Sequence, residues 1–220
     1  NFFNLPVAIG GRTIAWAQLP RLSRLHHIDD RTSLFTEWSS GMAASFFLVV
    51  PAGVAYVVLA YPLAEAFSFG EMATPRGVTL VAASLASLGL GVVGESAFIH
   101  ATQGCYARRD VAAPLQAMML RTGLTVVGMA VAVVAFEGVS TLVMLGLTIT
   151  TADITTGAVL SRWLRTTVAP HRRWPFRPLL QVVVGSMAMV VPAWFIAEGL
   201  PLRVGEGRVG DLGSVALAVI

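Results

Sequence analysis

The sequence predicts an all-α integral membrane protein, a polytopic bundle of about seven transmembrane helices forming one membrane domain over residues 1–220. Two observations carry this. Hydrophobic residues make up 55% of the chain and charged residues only 12%, where a soluble domain has about a quarter charged. The apolar residues are also gathered into runs of the length a bilayer needs, about 20 residues each. A third observation, the placing of the arginines between those runs, orients them.

Taken in order, residues 1–20 form a short first segment spotted with polar side chains. Five full segments follow, at roughly 41–66, 77–106, 113–136, 139–160 and 179–197, and a last one, 211–220, is cut off by the chain end. The chain opens on Asn1 inside a helical stretch and closes part-way into "GSVALAVI", so it reads as a piece of a longer protein. The connectors carry turn chemistry. "ATPRG" (73–77) has a proline and a glycine, "FEGVS" (136–140) is tight, and "APHRRWPFRP" (169–178) has three prolines and cannot be helical throughout. "LPLRVGEGRVGD" (200–211) is a glycine-rich turn. Pro51 and Pro192 lie inside apolar runs and predict kinks, and small-residue patterns such as "GLGVVG" (89–94) predict close helix packing.

The basic side chains are all arginine. The connectors after the first, third and fifth segments hold Arg21, Arg24, Arg31, Arg108, Arg109, Arg162, Arg165, Arg172, Arg173 and Arg177. The opposite connectors hold only Arg76, Arg203 and Arg208. The positive-inside rule places the first set in the cytoplasm. "CYARRDVAAP" (105–114) is then a cytoplasmic turn in which Arg108 and Arg109 anchor the loop and Asp110 caps the following helix. Trp163 and Trp174 fit an interfacial belt on the same side.

Several classes are excluded. Cys105 is the sole cysteine, so no disulfide can form within the chain, and nothing in its spacing points to a thiolate metal site. No basic tail or aromatic-interleaved patch points to nucleic acid. GxSxG, HExxH and P-loop motifs are absent, which favours a transporter over an enzyme. "HHIDD" (26–30) resembles a metal cluster only superficially: it sits in an arginine-rich connector and reads as a solvated loop, and no metal site is assigned.

Ionisable groups inside a membrane are costly, about 2.5–3.5 kcal/mol each on insertion scales, so they face a cavity or a partner. Arg12, Arg121, Asp153 and His100 fall roughly 10–14 Å inside the cytoplasmic ends of their segments at about 1.5 Å per residue. Glu95 lies nearer mid-membrane and reads as a buried carboxyl bonded to a neighbouring helix. His100 reads as an interhelical histidine with its hydrogen bonds satisfied. The tight turn at 136–140 makes 113–136 and 139–160 antiparallel neighbours, which puts Arg121 and Asp153 at similar depth. Each heads a polar stripe at helical spacing, Arg121 with Thr125 on one helix and Asp153 between Thr150 and Thr156 on the next. Two arrangements fit: an ion pair that locks the hairpin, or a hydrated cavity that binds an ion. Arg12, Arg121, Asn1 and Glu95 are the candidates for meeting substrate. Asp153, Thr125, Thr150 and Thr156 are the candidates for ion coupling.

Three phrases in order, "LPRLSR" (19–24), "VVPAGVAYVVLAYPLAEAFSFGEM" (49–72) and "YARRDVAAP" (106–114), resemble the C-terminal half of the MviN/MurJ family. These are the lipid II flippases of the multidrug/oligosaccharidyl-lipid/polysaccharide exporter superfamily. The resemblance implies fourteen helices in two lobes around a central cavity, with this chain as the C-terminal lobe. It implies a multi-pass protein of the bacterial inner (plasma) membrane, concerned with peptidoglycan and cell shape. The implied substrate is an undecaprenyl-pyrophosphate-linked disaccharide pentapeptide, moved from the cytoplasmic to the outer leaflet by alternating access. Cavity arginines would meet the pyrophosphate, and membrane lipids and cell-wall synthesis proteins would be partners. No bound cofactor is implied beyond coupling to a monovalent cation or proton.

The chain departs from the family pattern at two places. Asn1 stands where the family typically has a cavity arginine, and Arg12 lies about three turns further along the same helix. Thr125 and Met129 stand where some members carry a sodium-binding Asn and Asp. Two other functions therefore stay open: an inactive membrane scaffold in cell-wall synthesis, and an exporter of another polyprenyl-linked glycan or a drug.

Overall fold

A computed structural model describes residues 4–171 together with 180, 182 and 184–188. A widened π-helical stretch, Val7–Arg12, runs directly into α1, Thr13–His27. Then come α2 (Arg31–Val58), α3 (Ala60–Phe67), a short 3₁₀ turn (Gly70–Ala73), α4 (Pro75–Gly89), α5 (Gly91–Ala107), α6 (Ala112–Ala135) and α7 (Val139–Val168). There is no strand among the described residues. α2, α6 and α7 are each long and apolar enough to cross a membrane, and α4 with α5 makes a fourth span bent by 40°. Of the segment read at 179–197, only residues 180, 182 and 184–188 are described, and these are helical. Asn1, Arg172, Arg173, Trp174, Arg177, Pro192 and the segment 211–220 lie outside the described residues.

The helices depart from the apolar windows in informative ways. The first segment does not stop near Pro20 but continues to His27, because proline removes only the bond that the Trp16 carbonyl would have accepted. The span read at 41–66 begins ten residues earlier, at Arg31. Asp30 starts it, its Oδ1 accepting the Ser33 N–H at 3.0 Å, and the polar-looking stretch buries Leu34, Phe35 and Trp38 in the core. These hydrogen bonds also hold the Asp30 carboxyl below its ordinary pKa. α2 passes through Pro51 as one helix and breaks at Leu59, where Pro62 cannot donate to the Val58 carbonyl. The span read at 77–106 is two helices rather than one, divided at Leu90 without any proline. α7 runs to Val168, carrying Arg162 and Arg165 on its last turns rather than in a loop.

Two turns at the arginine-rich end are built alike. In "LHHIDD" the N–H of Asp30 reaches the Leu25 carbonyl at 3.0 Å, and in "CYARRD" the N–H of Asp110 reaches the Cys105 carbonyl at 3.0 Å. Each turn puts its penultimate residue in the left-handed region, Asp29 at φ 53° and Arg109 at φ 59°, the form of helix stop that closes with a six-to-one bond. Each then uses its aspartate to begin the next helix, and Asp110 Oδ1 accepts the Ala113 N–H at 3.2 Å. "HHIDD" is thus a helix stop and a cap, with Asp29 paired to Arg31 at 3.1 Å. At the other end of the bundle Gly138, at φ 64°, makes the three-residue turn from α6 to α7, where a side chain would be strained.

The packing centre is the contact of α5 with α7, flanked by α2, α1 and α6. Small residues make it close. A Cβ on Gly94 would overlap the backbone of Asp153 and Ile154, and one on Gly157 would come 2.6 Å from the Gly94 carbonyl oxygen. Toward the arginine-rich end Trp38, Leu22, Leu34, Phe98, Leu160 and Leu164 fill the core. The Trp38 indole N–H donates to the His100 carbonyl at 3.0 Å. Much of α6 is uncovered, with Leu115, Met119, Val127 and Val134 exposed, as an apolar face turned to lipid would be.

Candidate functional site

The charges predicted inside the bilayer form a line across four helices. On one side Arg121 of α6 meets Asp153 of α7. Nε lies 2.6 Å from Oδ1, and the two side chains are 25% and 2% exposed. The contact is ionic rather than an aligned hydrogen bond, and Oδ1 accepts none among the described residues. The guanidinium also stands over the Phe98 ring of α5, 5.7 Å from its centroid, a cation–π placement. Arg121 is therefore held by two neighbouring helices at once.

On the other side Arg12, at the end of the π-helical stretch, reaches Glu95 of α5, Nη2 to Oε1 at 3.1 Å. Two glycines make this approach. Gly10 lies against Leu48 and Val49 of α2, and a Cβ on Gly11 would stand 3.0 Å from the Ser96 hydroxyl. Ser96 is itself bonded to Ser45 at 2.7 Å, both fully buried. Arg12 remains 45% exposed while Glu95 is 13% exposed. Glu95 is the residue next to Gly94, whose backbone touches that of Asp153. The two pairs are thus joined through one turn of α5.

Arg12 faces an open cleft between α1 and α5 of about 200 Å³. Trp16, Phe98, Ile99, Thr102 and Gln103 complete its lining. Phe98 belongs both to this cleft and to the Arg121 contact, so the cleft runs from one pair toward the other. Trp16, one turn beyond Arg12, is 63% exposed.

The other expected residues are placed as follows. Asn1 lies outside the described residues. Thr125 donates to the Arg121 carbonyl at 2.8 Å, and Thr156 to the Ala152 carbonyl at 2.7 Å, so each hydroxyl hydrogen is committed to its own helix. Thr150 instead donates across to the Ser87 carbonyl of α4 at 2.7 Å, a carbonyl next to the break at Leu90. Arg108 stacks on Trp163, 5.9 Å from the ring centroid, and Arg109 is exposed. His100 differs from expectation. It is 1% exposed and its Nε2 has no hydrogen-bond partner among the described residues, while its backbone carbonyl accepts from Trp38.

The pairing of Arg12 with Glu95, and the place of Trp16 beside them, were not visible in the sequence. Arg12 and Glu95 stand 83 residues apart with no tight turn between their helices. Only the spacing of Trp16 from Arg12, four residues along one helix, carried a signal.

Comparison with known proteins gives a consistent answer. A family model described as the lipid II flippase MurJ matches residues 1–201. The lipid II flippase MurJ of Burkholderia cenocepacia is 31% identical over 119 residues, which cover 53% of this chain and 22% of that protein. A solved structure of the lipid II flippase MurJ in an inward closed conformation superposes with a TM-score of 0.74 at 14% identity. It covers 99% of this chain and 42% of its own, so that likeness speaks to the fold. The chain spans less than half the length of either relative.

Proposed function

Because the chain belongs to the lipid II flippase MurJ family, we propose that it is the C-terminal lobe of a lipid II flippase in the bacterial inner membrane. It would move an undecaprenyl-pyrophosphate-linked disaccharide pentapeptide to the outer leaflet by alternating access. The observation that carries the reading is Arg12. A guanidinium that is 45% exposed stands at the wall of a cleft and is aimed by the partly covered carboxylate of Glu95. A planar guanidinium suits the oxygens of a pyrophosphate, with which it forms charge-assisted bonds. Glu95 does two things for it. It fixes the position of the cation while the cleft is empty, and it leaves part of the guanidinium's donor set free for the substrate.

Arg121 has no such freedom. It is spent on Asp153 and Phe98, so its part is to hold α6 against α7 and α5. The contrast assigns the headgroup contact to Arg12 and the structural contact to Arg121.

The test is rescue. The full-length gene is expressed in cells depleted of their own lipid II flippase. The wild type restores growth, and Arg12→Ala does not, although the variant reaches the membrane in normal amount. A wild-type protein that inserts normally and fails to rescue would leave a membrane scaffold as the better account.

A further inference from the structure

Trp16 is the largest side chain lining the cleft and is 63% exposed. A tryptophan in a membrane protein ordinarily anchors a helix end at the interface. The end of α1 is at His27, eleven residues on and so about 16 Å away at the rise of an α-helix. Trp16 is not a helix-end anchor. It lies one turn from Arg12, on the same side of the helix, and shares the cleft with it. Its own backbone carbonyl has lost the usual helical donor to Pro20.

The rest of the lining has a mixed chemistry. Ile99 and Phe98 are apolar. Thr102 and Gln103 are polar, and the Thr102 hydroxyl is buried without a hydrogen-bond partner among the described residues. An aromatic face, a hydroxyl and an amide beside a cation are complementary to a sugar ring attached to a phosphate. The ring presents C–H groups on one face and hydroxyls around its edge. The cleft, at about 200 Å³, is smaller than the roughly 300–1,000 Å³ that encloses a drug-sized ligand. It has room for one ring rather than a whole disaccharide pentapeptide.

We propose that Trp16 stacks on the pyrophosphate-linked sugar of the substrate, with Gln103 and Thr102 bonding its edge, and so selects saccharide-bearing polyprenyl pyrophosphates over bare ones. This rests on the reading of Arg12 as the headgroup contact, and the experiment separates the two.

Full-length protein in lipid nanodiscs is titrated with two probes, undecaprenyl-pyrophosphoryl-disaccharide pentapeptide and undecaprenyl pyrophosphate. The wild type binds the first more tightly. Trp16→Ala weakens the first about tenfold, in keeping with the loss of one aromatic stacking contact, and leaves the second unchanged. Trp16→Phe keeps most of the preference, which a packing defect would not. Arg12→Ala weakens both probes. Equal loss of both probes in Trp16→Ala, or no loss of either, overturns the stacking role while leaving the Arg12 reading intact. A wild type that binds neither probe above a neutral lipid overturns both.

Discussion

Two arginine–carboxylate pairs meet on the same turn of α5, yet they are built for different ends. Arg121 and Asp153 join helices that a three-residue turn already makes neighbours, and the carboxylate is 2% exposed. Arg12 and Glu95 join helices far apart in the chain, and the arginine is 45% exposed. A buried pair is difficult to break, because whichever partner remains is stranded in a low dielectric. An open pair is worth little to stability, so its cation is free to be shared with something that arrives. In the proposed reading exposure, rather than residue type or distance, separates the fastening from the binding group.

The largest effect on stability should come from stranding Asp153. Arg121→Leu leaves that carboxylate buried with no cation, a loss of about 3–5 kcal/mol for a broken buried pair. Thermal unfolding of the full-length protein in detergent reads it directly. Asp153→Leu should cost less, since Arg121 keeps the Phe98 ring and is 25% exposed. The double change Arg121→Met with Asp153→Leu should recover most of the loss, because no charge is then left unpaired. An Arg121→Leu protein that melts like the wild type would erase the distinction between the pairs.

The Arg121–Asp153 pair was legible in the sequence for a plain reason. "FEGVS" is too short to do anything but return the chain, so equal distance from the turn means equal depth. No such ruler connects Arg12 with Glu95, and their meeting depends on Gly10 and Gly11 letting the first segment lie close on α2 and α5. The apolar spans themselves were readable from composition, since a bilayer demands length and apolarity together. Their ends were not. Residues 31–40 look polar in a window, but Leu34, Phe35 and Trp38 bury on one face while Arg31 turns outward and Glu37 pairs with Arg21 of α1 at 3.2 Å. The break at Leu90 has no proline to announce it; "GLGVVG" reads as packing, and only the close approach of Gly53 to the Gly89 carbonyl reveals where the backbone bends.

A smaller effect is expected where the two pairs touch. Gly94→Ala adds a methyl that overlaps the backbone of Asp153 and Ile154, which can yield only by moving α5 from α7. Overpacking of this kind costs about 1–3 kcal/mol, set against about 1 kcal/mol gained from the better helix propensity of alanine. Net destabilisation is therefore expected, together with weaker substrate binding, because Glu95 moves with α5. Gly123→Ala on α6 is the control. Nothing lies within 4 Å of its added carbon, so only the propensity gain remains and the protein should be no less stable. If both alanines behave alike, the α5–α7 contact is not what couples the pairs.

The smallest effect on stability, and the sharpest test of the comparison, is Arg12→Gln. The substitution keeps a polar, shorter side chain and removes the charge. Because Arg12 is 45% exposed, solvent screens the pair, and its loss should change stability by no more than about 0–1 kcal/mol. Glu95, at 13% exposed, is not fully enclosed and can keep water. Melting should therefore be close to that of the wild type, unlike Arg121→Leu, while on the proposed reading transport of lipid II by the full-length protein in proteoliposomes falls steeply. A variant that instead melts as early as Arg121→Leu would make Arg12 a second fastening, and the cation that meets the substrate would have to be sought outside this lobe.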